Sequence, residues 1–244
     1  MAYRLWLSMQ QARKNDICHR PSAISYMPTM LSRLKLAVFL ACLFPLGQLL
    51  YYGFTDDLTA NPIEYITHFT GSWALIILLA SLSITPLRKI TGWNDLIKFR
   101  RMLGLFAFFY VLLHFSTFVV LDHFFDFERI VKDIYKRPYV TAGFIAFVLL
   151  IPLALTSTAP MIRRLGKRWQ QLHRLVYVAA IAGVVHFYWL VKADIRRPVQ
   201  YAAVLFLLLG FRLLTNRAHR WPRFQKLQLF HPFKSQWLNR GTDH

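Results

Sequence analysis

A chain of 244 residues that is 56% hydrophobic and only 17% charged, with a mean hydropathy of +0.35, is too apolar for an ordinary soluble domain, where about a quarter of residues are charged. Its net charge of +19 would suggest nucleic acid if it formed one basic face. Instead the basic residues fall between apolar blocks of about 20 residues, the length of a bilayer crossing, which excludes a soluble nucleic-acid module and leaves a helical membrane protein.

Residues 1–30 are polar and mixed, with no apolar run before residue 34, so they read as a cytoplasmic extension and not as a cleaved signal peptide. Six apolar spans follow, predicted at 34–52, 65–87, 102–121, 139–156, 172–191 and 199–214. The expected fold is all-α: a polytopic bundle of six transmembrane helices over 31–215, closed by a basic cytoplasmic tail over 216–244. No internal repeat of the inverted kind common in transporters is visible. Cys18 and Cys42 form no CxxC pair or CxxCH stretch and are expected to pack rather than react.

The connectors give the orientation. Segment 88–101 holds five basic residues, and 157–171 holds Arg163, Arg164, Lys167 and Arg168. By contrast, 53–64 has no basic residue, and 122–138 balances four acids against four bases. Summed over alternate sides, 23 basic residues lie with the two tails and seven on the other side, which carries eight of the eleven acids. The positive-inside rule then places both termini in the cytoplasm. Aromatics at the span ends, such as Tyr51, Tyr52, Trp73, Trp169, Tyr188 and Trp189, suit interfacial belts.

Ionisable groups inside hydrocarbon are costly and usually functional. No Asp, Glu, Lys or Arg sits mid-span, but His68, His114, His173 and His186 lie within or at the ends of spans. A proton-driven transporter would need buried carboxylates, whereas neutral imidazoles suit a metal. With a helical rise of 1.5 Å per residue, His114 lies roughly 19 Å beyond Arg101, and His186 roughly 18 Å beyond Arg174. Two imidazoles at one depth on two helices are what a bis-histidine b-type heme requires. His68, about 30 Å from the inner edge, falls near the outer surface, and His173 falls at the inner edge. Each is a secondary candidate for iron ligation, or for contact with a propionate or a quinone; the plainer readings are an interfacial polar residue for His68 and a lipid-headgroup contact for His173. At the level of His173 there is no other histidine; Met102 is a conceivable partner, and Arg100 or Arg101 could meet propionates. Thirteen residues rotate an ideal helix by about 140°, so His173 and His186 share a groove only if the helix is distorted near Gly183 or at its start. His19, His123, His219, His231 and His244 fall in tails or connectors and are expected to be solvated.

The blocks HFTGSWAL (68–75), ITPLR (84–88), RRMLGL (100–105), LLHF (112–115), RPYVTAG (137–143), LALTST (153–158) and LGKRWQQLHRLVY (165–177) resemble the MsrQ family, formerly called YedZ, over about residues 31–215. More distantly the chain is similar to the ferric reductase-like transmembrane domain shared with NADPH oxidases. The resemblance implies a heme b membrane subunit in the bacterial inner membrane, one heme or two, with FMN also attributed to the family. It implies electrons from the quinone pool or a cytoplasmic flavin reductase. These would pass to MsrP, a periplasmic molybdenum-cofactor enzyme that forms a heterodimer with the subunit and repairs methionine sulfoxide. The family's histidines match His68, His114, His173 and His186. In the oxidase relatives the third span carries an inner heme histidine where Arg100 or Arg101 stands here. The competing readings are a small-molecule or ion transporter without heme and a purely structural subunit.

Overall fold

A computed structural model describes residues 27–191 and 194–220, with side chains described over 30–191 and 194–215. The extension over 1–26, including Cys18 and His19, and the tail from 221, including His231 and His244, lie outside the described residues, as does the side chain of His219. Among the described residues the regular structure is helical, and six helices are long and apolar enough to cross a membrane: Met30–Phe54, Pro62–Thr91, Asn94–Asp122, Pro138–Leu155, Lys167–Leu190 and Arg196–Thr215. The protein is a multi-pass membrane protein.

The chain divides into two compact units, 1–50 and 51–244. In the first, the described residues are 27–50 of helix α1 (Met27–Phe54), which carries Pro45 inside it. The second holds α2 (Pro62–Thr91), α3 (Ile97–Thr117), α4 (Phe127–Lys136), α5 (Pro138–Leu155), α6 (Ala159–Leu165), α7 (Lys167–Leu172), α8 (Leu175–Leu190) and α9 (Arg196–Arg220). Two close hairpin-like pairs build it, α2 with α3 and α5 with α8, joined where α3 meets α5. Small residues permit the approach: Ala107 on α3 and Ala179 and Ala180 on α8 are fully buried. Phe206, Leu207 and Leu213 on α9 remain exposed, as apolar side chains facing lipid do.

Local sequence sets the ends. Asn61 caps α2 by accepting from the Glu64 N–H at 3.4 Å, which satisfies one orphan N–H of the first turn, while its side-chain amide donates to the Glu64 carboxylate at 3.0 Å. Gly92, at φ 71°, closes α2 in the left-handed region that glycine enters without strain. Asp126 caps α4 through the Arg129 N–H at 3.1 Å.

Two of the connectors contain helices. Segment 122–138 holds α4, entered through a π turn at Phe118–Asp122 and two residues with positive φ, Phe124 and Phe125. Segment 157–171 holds α6 and the start of α7, separated at Gly166 with φ 51°. The fifth span is broken at His173 and Arg174, between α7 and α8.

Candidate cofactor site

His114 lies one turn from the end of α3, and His186 one turn from the end of α8. Their ring centroids are 6.0 Å apart with planes at 72°. Each ring is held by a backbone carbonyl of the helix beside it. His114 Nδ1–H donates to the Thr67 carbonyl on α2 at 2.9 Å, and His186 Nδ1–H donates to the Tyr139 carbonyl on α5 at 2.6 Å. A carbonyl can only accept, so both protons sit on Nδ1, and Nε2 of each neutral ring keeps its lone pair. This is the outer-shell arrangement that orients metal-ligating histidines.

A second strand of hydrogen bonds braces His114. Thr67 Oγ1 donates to Thr117 Oγ1 at 3.2 Å, and Thr117 Oγ1 donates to the His114 carbonyl at 2.7 Å. Glycine provides the space behind both rings. A Cβ at Gly71 would stand 3.0 Å from His114 Nδ1, and one at Gly143 would stand 2.8 Å from His186 Nδ1.

Both imidazoles open on one cavity of about 820 Å³. One wall is aromatic: Phe115 stacks on Phe147 at 4.4 Å with planes 19° apart, and Phe144 lies 6.2 Å from Phe115. The mouth, at the end where α2 begins and α3 finishes, carries Asp122, His123, Arg129, Lys132, Asp133 and Arg137.

Two imidazoles supply a metal with only two ligands, and among the described residues no three His, Cys, Asp or Glu gather as a protein-only metal site. The donor set therefore suits a metal that brings its own equatorial ligands, as a porphyrin iron does. Two metal–imidazole bonds of about 2 Å, plus the distance from each nitrogen to its ring centre, match the 6.0 Å between centroids. A flat aromatic wall, an apolar interior and a cationic mouth fit a flat macrocycle with carboxylate arms. The residues present fit heme.

A family model described as ferric reductase like transmembrane component matches residues 65–184. The chain is 53% identical over 189 residues to the protein-methionine-sulfoxide reductase heme-binding subunit MsrQ of Herminiimonas arsenicoxydans, covering 76% of this chain and 87% of that one. The same-named protein of Ralstonia nicotianae is 50% identical over the same coverage, and that of Rhodospirillum rubrum is 53% identical over 74% of this chain and 87% of its own. The chain belongs to the MsrQ family. No solved structure matches it.

The other residues that carry the MsrQ resemblance are dispersed around this pair. His68 lines the cavity on the His114 side but is half exposed, with Nε2 3.8 Å from the Glu64 carboxylate. His173 sits at the far end of the fifth span: its Nδ1–H donates to the Trp169 carbonyl at 3.1 Å, Nε2 lies 3.4 Å from Ser157 Oγ, and its ring centroid lies 4.0 Å from that of Trp169 with the planes tilted by 31°. Arg100 and Arg101, at the start of α3, do not line the cavity; Arg100 lies near His173 instead.

His123 corrects the expectation of a solvated connector residue. Its side chain is only 11% exposed, with Nδ1–H donating to the Phe118 carbonyl at 3.1 Å and Nε2 3.2 Å from Asp133. Asp133 also pairs with Arg137 at 3.3 Å. The π turn makes this possible by turning His123 back under α4, a feature without a period to read. The rim cations Arg129, Lys132 and Arg137 lie in a connector whose four bases balance four acids, so no charge excess marks them in the sequence.

Proposed function

We propose that this chain is the heme-carrying, electron-transferring membrane subunit of a protein-methionine-sulfoxide reductase, with one b-type heme held between His114 and His186. The observation that carries the reading is the facing pair of imidazoles, each with Nδ1–H fixed by a carbonyl and Nε2 left for metal. A heme bound there would be held by His114 and His186 and would supply one-electron ferric–ferrous chemistry.

The chain's own residues have separable roles. Thr67 and Tyr139 orient the ligands through their carbonyls, and Phe115, Phe144 and Phe147 keep water from the macrocycle. Arg129, Lys132 and Arg137 stand where propionates would need countercharge, a role this reading transfers from Arg100 and Arg101. One heme is favoured over two because no second histidine stands at the level of His173 among the described residues. His68 and His173 are then neighbours of the electron path and not iron ligands.

By the positive-inside rule the cavity mouth faces the periplasm across the bacterial inner membrane. The partner would be a soluble MsrP-type molybdenum enzyme on that side, where methionine sulfoxide reduction itself takes place. The donor would be the quinone pool or a cytoplasmic flavin reductase on the other. The heme reading does not call on the FMN attributed to the family.

Visible spectra of the purified protein, oxidised and dithionite-reduced, test the proposal, with flavin fluorescence read on the same sample. A Soret band with sharp reduced α and β bands is expected, and the reduced band should be reoxidised when an MsrP-type partner and methionine sulfoxide are added together. A colourless protein after expression with ample heme would refute it.

A further inference from the structure

The two imidazole sites are copies of one arrangement. His114 bonds a carbonyl 47 positions before it, and His186 does the same. The glycine behind each ring lies four residues, one helical turn, after that carbonyl: Gly71 after Thr67 and Gly143 after Tyr139. Every element of the second site thus stands 72 positions after its counterpart in the first. The offset extends into packing. Ala74 and Ala146, Leu78 and Leu150, and Ala107 and Ala179 are identical and buried at both places. His114–Phe115 recurs as His186–Phe187. The α2–α3 pair and the α5–α8 pair are therefore two copies of one hairpin, related in the same membrane direction and not inverted.

We propose that the carbonyl–glycine pairs Thr67–Gly71 and Tyr139–Gly143 are a duplicated positioning device that sets the angle between the two axial imidazole planes. The inference rests on the heme reading above. In each copy the carbonyl fixes which nitrogen carries the proton, and the ring lies so close to the glycine Cα that a methyl group there would collide with it. The bond and the wall together leave the ring one rotation. Because the two hairpins face each other, the two fixed rotations leave the planes near perpendicular, at 72°.

Near-perpendicular planes leave two d orbitals of low-spin ferric iron almost degenerate, which produces a single large-g feature in the electron paramagnetic resonance spectrum. Parallel planes produce a resolved rhombic triplet. The test is low-temperature resonance of the full-length, heme-loaded ferric protein, with hemochrome content measured beside it. The wild type is expected to give the large-g feature, and a rhombic triplet would overturn the proposal. Gly71→Ala and Gly143→Ala should each move that feature. Gly143→Ala should have the larger effect, because its Cβ would lie at 2.8 Å from the ring, against 3.0 Å at Gly71. Gly104→Ala on α3, whose added Cβ would meet only Ser81 Oγ at 3.8 Å, should leave it in place. Full heme content with an unmoved signal in both seat variants would overturn the positioning role and leave the heme reading intact. Absence of heme from the wild type would instead remove the heme reading. Should one of the two glycine variants not fold, the other decides the positioning role by the same readout.

Discussion

At the scale of the residue, the site rests on groups that are neither charged nor chemically unusual. The depth match of His114 and His186 was legible because helical rise converts sequence distance into height, and apolar spans fix the zero. What holds the rings was not legible, since backbone carbonyls leave no mark in a sequence and a glycine in a membrane helix has many uses. Thr67 and Thr117 belong to this hidden layer. In lipid a hydroxyl without a partner is costly, and the chain from Thr67 through Thr117 to the His114 carbonyl satisfies both hydroxyls while bracing the ligand helix. Replacing Thr117 with Val should keep the heme spectrum but remove the 2.7 Å bond, at about 0.5–1.5 kcal/mol. A lower midpoint for thermal loss of the Soret band is the expected result, and an unchanged midpoint would show that the brace contributes nothing.

At the scale of the element, the six spans were readable because each is a long apolar run, and their predicted edges fall inside the helices found except at 156 and 191, each one residue beyond its helix end. The irregular pieces were not. Helix α4 is ten residues in a charge-balanced connector, and its apolar stripe is divided between Ile130, which is buried, and Phe127, Val131 and Tyr135, which stay exposed. Such a stripe is too short to announce itself against flanking charges. Its attachment depends on Asp133, whose carboxylate meets both His123 and Arg137. Asp133→Ala should therefore accelerate amide exchange across 123–137 by about tenfold, the equivalent of losing hydrogen bonds to a charged group worth ~1.5 kcal/mol. Exchange as slow as in the wild type would mean that packing of Ile130 alone holds the helix. The duplicated hairpin is a related case. Its recurring Gly, Ala, Leu and His–Phe positions are present in the sequence, but alanine and leucine recur by chance in any membrane span. Only the paired hydrogen bonds say which alignment has meaning.

At the scale of the whole molecule, composition decides that the chain crosses the membrane, and the uneven distribution of Lys and Arg is what the proposed orientation rests on, with the cavity mouth on the side that holds seven of the 30 basic residues. Heme number is a property of the same scale, because it depends on whether the bundle repeats its ligand pair at a second depth. The duplication offers an answer: the position equivalent to His173 in the first hairpin is Arg101, which cannot ligate iron. The most direct measurement is the pyridine hemochrome stoichiometry of the purified wild type beside His114→Ala, His186→Ala and His173→Ala. The account predicts one heme per chain in the wild type and in His173→Ala, and essentially none in the other two. Two hemes per chain, a content halved in His173→Ala, or full occupancy in His114→Ala or His186→Ala would contradict it.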